Sequence, residues 1–154
     1  MIARFRHRAW TGGRRPVARP PRPSRVGKAA PELAGLTPAG DPVHIETGPG
    51  ALLVVAFLTS SCATCATFWK ALGADNVGEG DPPLVVVTPD PTTEDRRQVA
   101  RLAPGSTPVV MSSAGWIDWG VFGSPFFVVV ADGLIVAEGV AADWDEMLAL
   151  IPVR

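Results

Sequence analysis

The segment Ala51–Leu58 is apolar without interruption and is bounded by Gly50 and Thr59. A run of that length, rich in Val and Leu, predicts a strand buried on both faces. Beyond it, Cys65, Phe68, Trp69 and Leu72 recur at i, i+3, i+4 and i+7, the stripe of an amphipathic helix that Gly73 ends. Ser60 and Ser61 are its candidate N-caps. A strand running straight into a helix opens a β-α-β unit, and Leu84–Thr88, stopped by Pro89 and Pro91, supplies the second strand. Thr92 or Thr93 is placed to cap a helix over 94–102, with Glu94 and Asp95 beside its positive end. A short strand over 108–111 follows, then a helical turn within Gly115–Gly123 whose Trp116, Trp119 and Val121 cover the core. Phe126–Val130 is a further apolar strand, and Asp132-Gly133 is a hairpin turn into Leu134–Glu138. Asp143 caps a last helix with Trp144, Met147, Leu148 and Ile151 on one apolar face.

With one strand around His44 ahead of Ala51, the order is β, β-α, β-α, short β, hairpin and helix. That order predicts an α/β fold, a mixed central sheet with helices on both faces. His44 reads as an edge or surface residue, and Trp69, Trp116, Trp119 and Trp144 as core or groove aromatics.

Composition divides the chain. Its 154 residues, 47% apolar and 19% charged, suit one domain with a proper core and exclude a wholly disordered polypeptide. The net charge of −1 conceals opposed parts: residues 1–28 hold eight Arg, one Lys and no acid, while the remainder carries all 15 acids. Pro16, Pro20, Pro21 and Pro23 alternate with arginines, so residues 1–25 read as a disordered basic tail ahead of a domain over 26–154. Arg14-Arg15 is followed by Pro16 and by no apolar stretch, unlike a twin-arginine signal. With no targeting signal, the cytoplasm is the default compartment. An anionic membrane surface is a candidate partner of the tail, at roughly 1 kcal/mol per arginine. A juxtamembrane placement would need an anchor upstream of Met1. No specific nucleic acid is expected, because the acidic domain repels phosphate.

Cys62 and Cys65 are the only cysteines. A disulfide scaffold needs several pairs, which excludes that class. A zinc site needs four ligands, and only His7 and His44 remain, both far off in sequence; no metal is expected. The pair falls where the buried strand becomes a helix. There, unpaired N–H groups and the macrodipole stabilise a thiolate at Cys62, and Cys65 lies one turn inside. Cys62 is then the attacking thiol and Cys65 the resolving one, with no cofactor beyond their own redox-active disulfide. Taken alone, Pro125 in Gly123-Ser124-Pro125-Phe126-Phe127 is either a strand-start proline or a cis-proline.

Several segments in order resemble the TlpA- and ResA-like thiol-disulfide oxidoreductases of the thioredoxin-like superfamily. They are Val26-Gly27-Lys28-Ala29-Ala30-Pro31-Glu32-Leu33, Leu36–Val43, the Cys62–Cys65 pair, Gly120–Phe127 and Ala131-Asp132-Gly133-Leu134-Ile135. The resemblance spans residues 26–151. It implies a thioredoxin-like fold, exchange of disulfides with partner proteins and an upstream electron donor or acceptor. It also implies a cis Pro125 beside the cysteines, with the backbone at Ser124 binding an extended partner segment. For compartment, it points to the extracytoplasmic side of a membrane.

Two positions depart from the family. Ser61 stands where a Trp usually precedes the first Cys, and Ala56 where thioredoxins carry a buried Asp. No substitute acid can be placed from sequence. Two rival readings stay open. Thr59-Ser60-Ser61-Cys62 fits the TxxC of peroxiredoxins, though Val55 replaces their preceding Pro and no peroxide-binding Arg is assignable. The other rival is a non-catalytic thioredoxin-like binding or assembly module.

Overall fold

Strand β3 (Leu52–Phe57) is buried along nearly its whole length, and its side chains alternate between two cores. Val54 and Ala56 face one cluster with Cys65, Phe68, Leu72, Val99 and Met147. Leu53, Val55 and Phe57 face the other, with Leu33, Val85, Trp119 and Ile135. Period-2 alternation in an unbroken apolar run is what a strand covered on both faces requires, and each such side chain contributes about 1.5–3 kcal/mol of burial.

The computed structural model describes residues 22–152 apart from 75–77 and 79. The flanking strands are β1 (Leu33–Leu36), β2 (Pro42–Ile45), β4 (Leu84–Thr88), β5 (Val109–Met111), β6 (Phe126–Ala131) and β7 (Leu134–Gly139). Among the described residues they form one sheet in the order β2-β1-β5-β4-β3-β6-β7. β3, β4 and β5 run parallel, and every other pairing is antiparallel. Helices α1 (Ala63–Gly73), α2 (Arg96–Leu102) and α4 (Trp144–Leu150) pack on one face, and α3 (Ser113–Asp118) on the other. This is the mixed sheet with helices on both faces that the sequence predicts.

The structure differs in several details. The N-terminal strand is a hairpin, β1 and β2, with Gly40 at φ +93° in its turn; alternation over four residues each is too short to stand out. His44 lies exposed on the edge strand β2. α2 begins at Arg96 because Asp95, not Thr92 or Thr93, accepts from the Arg97 and Gln98 N–H groups. The hairpin at Asp132-Gly133 has positive φ at both residues, as a two-residue turn between twisted strands requires. Asp143 caps α4 as expected, accepting from Glu146 N–H at 2.9 Å.

The domain's contacts also begin earlier than Val26. Arg22 and Arg25, assigned to the tail by composition, hydrogen-bond to Glu138 and to carbonyls of Asp118, Trp119 and Gly120. Local composition cannot show that a guanidinium finds acceptors 97 residues away. The remainder of the tail, 1–21, lies outside the described residues.

Candidate active site

Register brings the site together. Phe57, the last residue of β3, lies opposite Phe126, the first of β6. The segment entering α1 and the segment entering β6 therefore meet at the same end of the sheet. That end carries the C-termini of the parallel strands, where open α/β sheets place their sites.

Cys62 itself is the N-cap of α1, in place of the expected Ser60 or Ser61. Its backbone is extended (φ −79°, ψ 122°), and its sulfur accepts from Cys65 N–H at 3.2 Å. The sulfur at the N-cap thus serves as the side-chain acceptor the helix start needs. Cys62 is half-buried, whereas Cys65, on the same helix stripe as Phe68, Trp69 and Leu72, is fully buried. Both are free thiols.

The segment before β6 closes the site. The Ser124-Pro125 peptide is cis, and the Cys62 thiol lies 3.7 Å from the Ser124 carbonyl oxygen as donor. Ser124 and Cys65 thus both lie against the Cys62 sulfur.

The two thiols are driven apart electrostatically. Burial pushes the Cys62 thiol up, but hydrogen bonds from the Cys65 thiol and N–H, from Ser124 and from Thr64 N–H outweigh it and hold it below its ordinary value. Burial pushes the Cys65 thiol up, and its hydrogen bond to Cys62 adds to this; together they raise it to about 11 against the Thr59 backbone and Ser124. An outer thiol that ionises easily in front of an inner thiol that does not is the asymmetry of attack followed by resolution.

No protein-family model and no curated protein sequence matches this chain. Solved structures do. The thioredoxin domain of a thiol-disulfide oxidoreductase from Bacteroides vulgatus superposes with a TM-score of 0.59 at 17% identity, covering 80% of this chain and 93% of that one. A thiol:disulfide interchange protein from a Bacteroides species gives 0.57 at 19% identity, covering 77% and 83%. The dsbF protein of MTB, solved in mixed oxidised and reduced forms, gives 0.58 at 18% identity, covering 77% and 95%. The fold is thioredoxin-like.

Within this thioredoxin-like fold, Ala56 is buried where thioredoxins carry an acid, and the nearby buried carboxylate, Glu94, is engaged by Ser60. Glu94 is only 8% exposed and turns back from the α2 entry to accept from Ser60 N–H at 3.2 Å and from the Ser60 hydroxyl. Local pattern puts Glu94 at the start of the α2 segment, and only the fold brings it to the segment before Cys62. The Thr59 carbonyl accepts from Trp69 Nε1 at 3.1 Å, so the Thr59–Ser60 peptide is held on both sides. Among the described residues no arginine hydrogen-bonds either cysteine, and no group of three or more His, Cys, Asp or Glu is placed to hold a metal. A groove of about 730 Å³ lined by Ile45, Leu52, Pro83, Leu84 and Pro108 lies at the opposite end of the sheet, away from the thiols.

Proposed function

We propose that this protein is a thiol-disulfide oxidoreductase of the TlpA- and ResA-like kind, acting on disulfides of partner proteins. The observation that carries this reading is the unequal pair itself: a half-buried Cys62 with a lowered pKa in front of a buried Cys65 raised to about 11. In the reductive direction the Cys62 thiolate attacks one sulfur of the partner's disulfide. The partner's S–S bond breaks, a Cys62–partner disulfide forms, and the released partner thiolate takes a proton from solvent. The Cys65 thiol then loses its proton and attacks the Cys62 sulfur. That step forms Cys62–Cys65 and releases the second partner thiol. Two electrons have passed to the partner, and an external dithiol must return them. The same steps reversed oxidise a partner dithiol. The backbone at Ser124 is the proposed docking edge for an extended partner segment. The basic tail is proposed to act in placement, at an anionic surface.

The test is reduction of insulin, a two-chain polypeptide held by disulfides, in the presence of dithiothreitol. The protein should accelerate reduction and Cys62→Ser should abolish the acceleration. A rate equal to the reductant alone would overturn the reading, and rapid dithiol-dependent peroxide consumption in its place would favour the peroxiredoxin-like alternative.

A further inference from the structure

Arg22 is the most heavily engaged cation among the described residues, and disulfide chemistry as described above does not use it. Its Nη1 donates to Glu138 Oε2 at 2.6 Å, its Nη2 to the Trp119 carbonyl at 2.7 Å, and its Nε to the Gly120 carbonyl. Its guanidinium carbon sits 4.5 Å above the centre of the Phe126 ring. Glu138, on β7, is held in turn by the Arg25 backbone N–H at 2.9 Å.

These contacts have a common geometry. Gly120 and Phe126 are the two ends of the segment that carries Ser124 past the cysteines. The planar guanidinium reads both ends at once, two carbonyls on its edge and a ring on its face, while Glu138 ties it to the sheet. Gly120 has φ +64°, and a Cβ built there would lie 3.4 Å from Arg25 Nη1 and 3.6 Å from Arg22 Nη2, so the arginines close tightly over this turn. Between the fixed ends, Val121 is anchored in the core, while Phe122 is 77% exposed beside Ser124.

We infer that Arg22 is a positioning residue that clamps the 120–126 segment from both ends and so holds Phe122 and Ser124 ready for a partner polypeptide. This deepens the function proposed above and rests on it. Without the clamp the segment samples other arrangements, and a partner must order it on binding; the loss falls mainly on binding, because α1 carries both thiols and the Cys65 N–H still holds the Cys62 sulfur.

Three measurements on the full chain decide it. Arg22→Gln should raise KM for insulin about tenfold with kcat within about twofold, as expected when binding is lost before the chemical step. Reaction of Cys62 with a small aromatic disulfide should change by no more than about twofold, because Ser124 is one of several groups that hold its thiolate and the Cys65 and Thr64 N–H groups remain. Glu138→Gln should act in the same direction, and the double variant should be no worse than the worse single one, because both remove the same clamp. Amide hydrogen exchange, which needs no activity, should accelerate in Arg22→Gln at Gly120 and Val121, whose N–H groups donate to the Ile117 and Trp116 carbonyls, and stay level in β3 and β6, which also shows that the variant is folded. Unchanged KM, or unchanged exchange at Gly120 and Val121, would overturn the inference. An equal fall in kcat and in the small-disulfide rate would overturn it too, by placing Arg22 in the chemistry. If the wild-type protein turns over no insulin, the proposed function fails, and the exchange measurement alone judges the clamp.

Discussion

Alkylation of the two thiols near neutral pH turns the asymmetry of the site into a number. Cys65 is raised to about 11, so near pH 8 only about one molecule in 10³ carries its thiolate. Cys62 is held below 9.0, so at least about a tenth of it is thiolate under the same conditions. Ionisation alone therefore favours Cys62 by at least about 10². A more basic thiolate is the better nucleophile, and a Brønsted slope of about 0.4–0.5 returns part of that advantage to Cys65 without reversing it. Full burial of Cys65 adds to the preference for Cys62. The assay is brief treatment of the reduced protein with iodoacetamide over a pH series, with peptide mass spectrometry to assign the label. Cys62 should be modified first, with a midpoint below that of an ordinary thiol. Equal labelling of the two cysteines in the native protein, or a Cys62 midpoint above the ordinary thiol value, would refute the reasoning.

Three further outcomes follow from the same contacts. Because the Cys65 pKa is higher folded than unfolded, its contribution to stability is fully present below the unfolded thiol value and is lost as pH rises toward about 11; urea unfolding across that window should show a decline that Cys65→Ala flattens. Glu94→Ala should cost about 2 kcal/mol in urea unfolding, because it leaves the Ser60 N–H and hydroxyl without their carboxylate, and Glu94→Gln should cost less. Phe68→Ala, which empties the position tilted against Phe127 at 4.7 Å between ring centres, should cost about 3–5 kcal/mol, read as a fall in the denaturant midpoint.

The parts of the fold legible in the sequence are those in which one local pattern decides one element. The apolar run of β3, the i, i+3, i+4, i+7 stripe of α1, the Asp132-Gly133 turn and the Asp143 cap each need only neighbouring residues. Spacing likewise put Cys62 at a helix start and Cys65 one turn inside. What it could not show are relations made across the sheet. Glu94 and Ser60 are 34 positions apart, and Arg22 and Glu138 are 116 apart. Each of these residues has an unremarkable local reading, a helix-end acid in one case and a tail arginine in the other. Cys62 acting as its own helix cap was missed for a related reason: serine is the commoner cap, and two serines stand directly before it.

The most direct test of the division of labour between the two thiols is to trap the intermediate. Full-length Cys65→Ser, mixed with a peptide containing a disulfide, should accumulate a covalent adduct through Cys62, visible as a mass shift that dithiothreitol removes. Cys62→Ser should form none, because Cys65 is buried and its thiol is raised to about 11. Trapping by Cys62→Ser and not by Cys65→Ser would contradict the account.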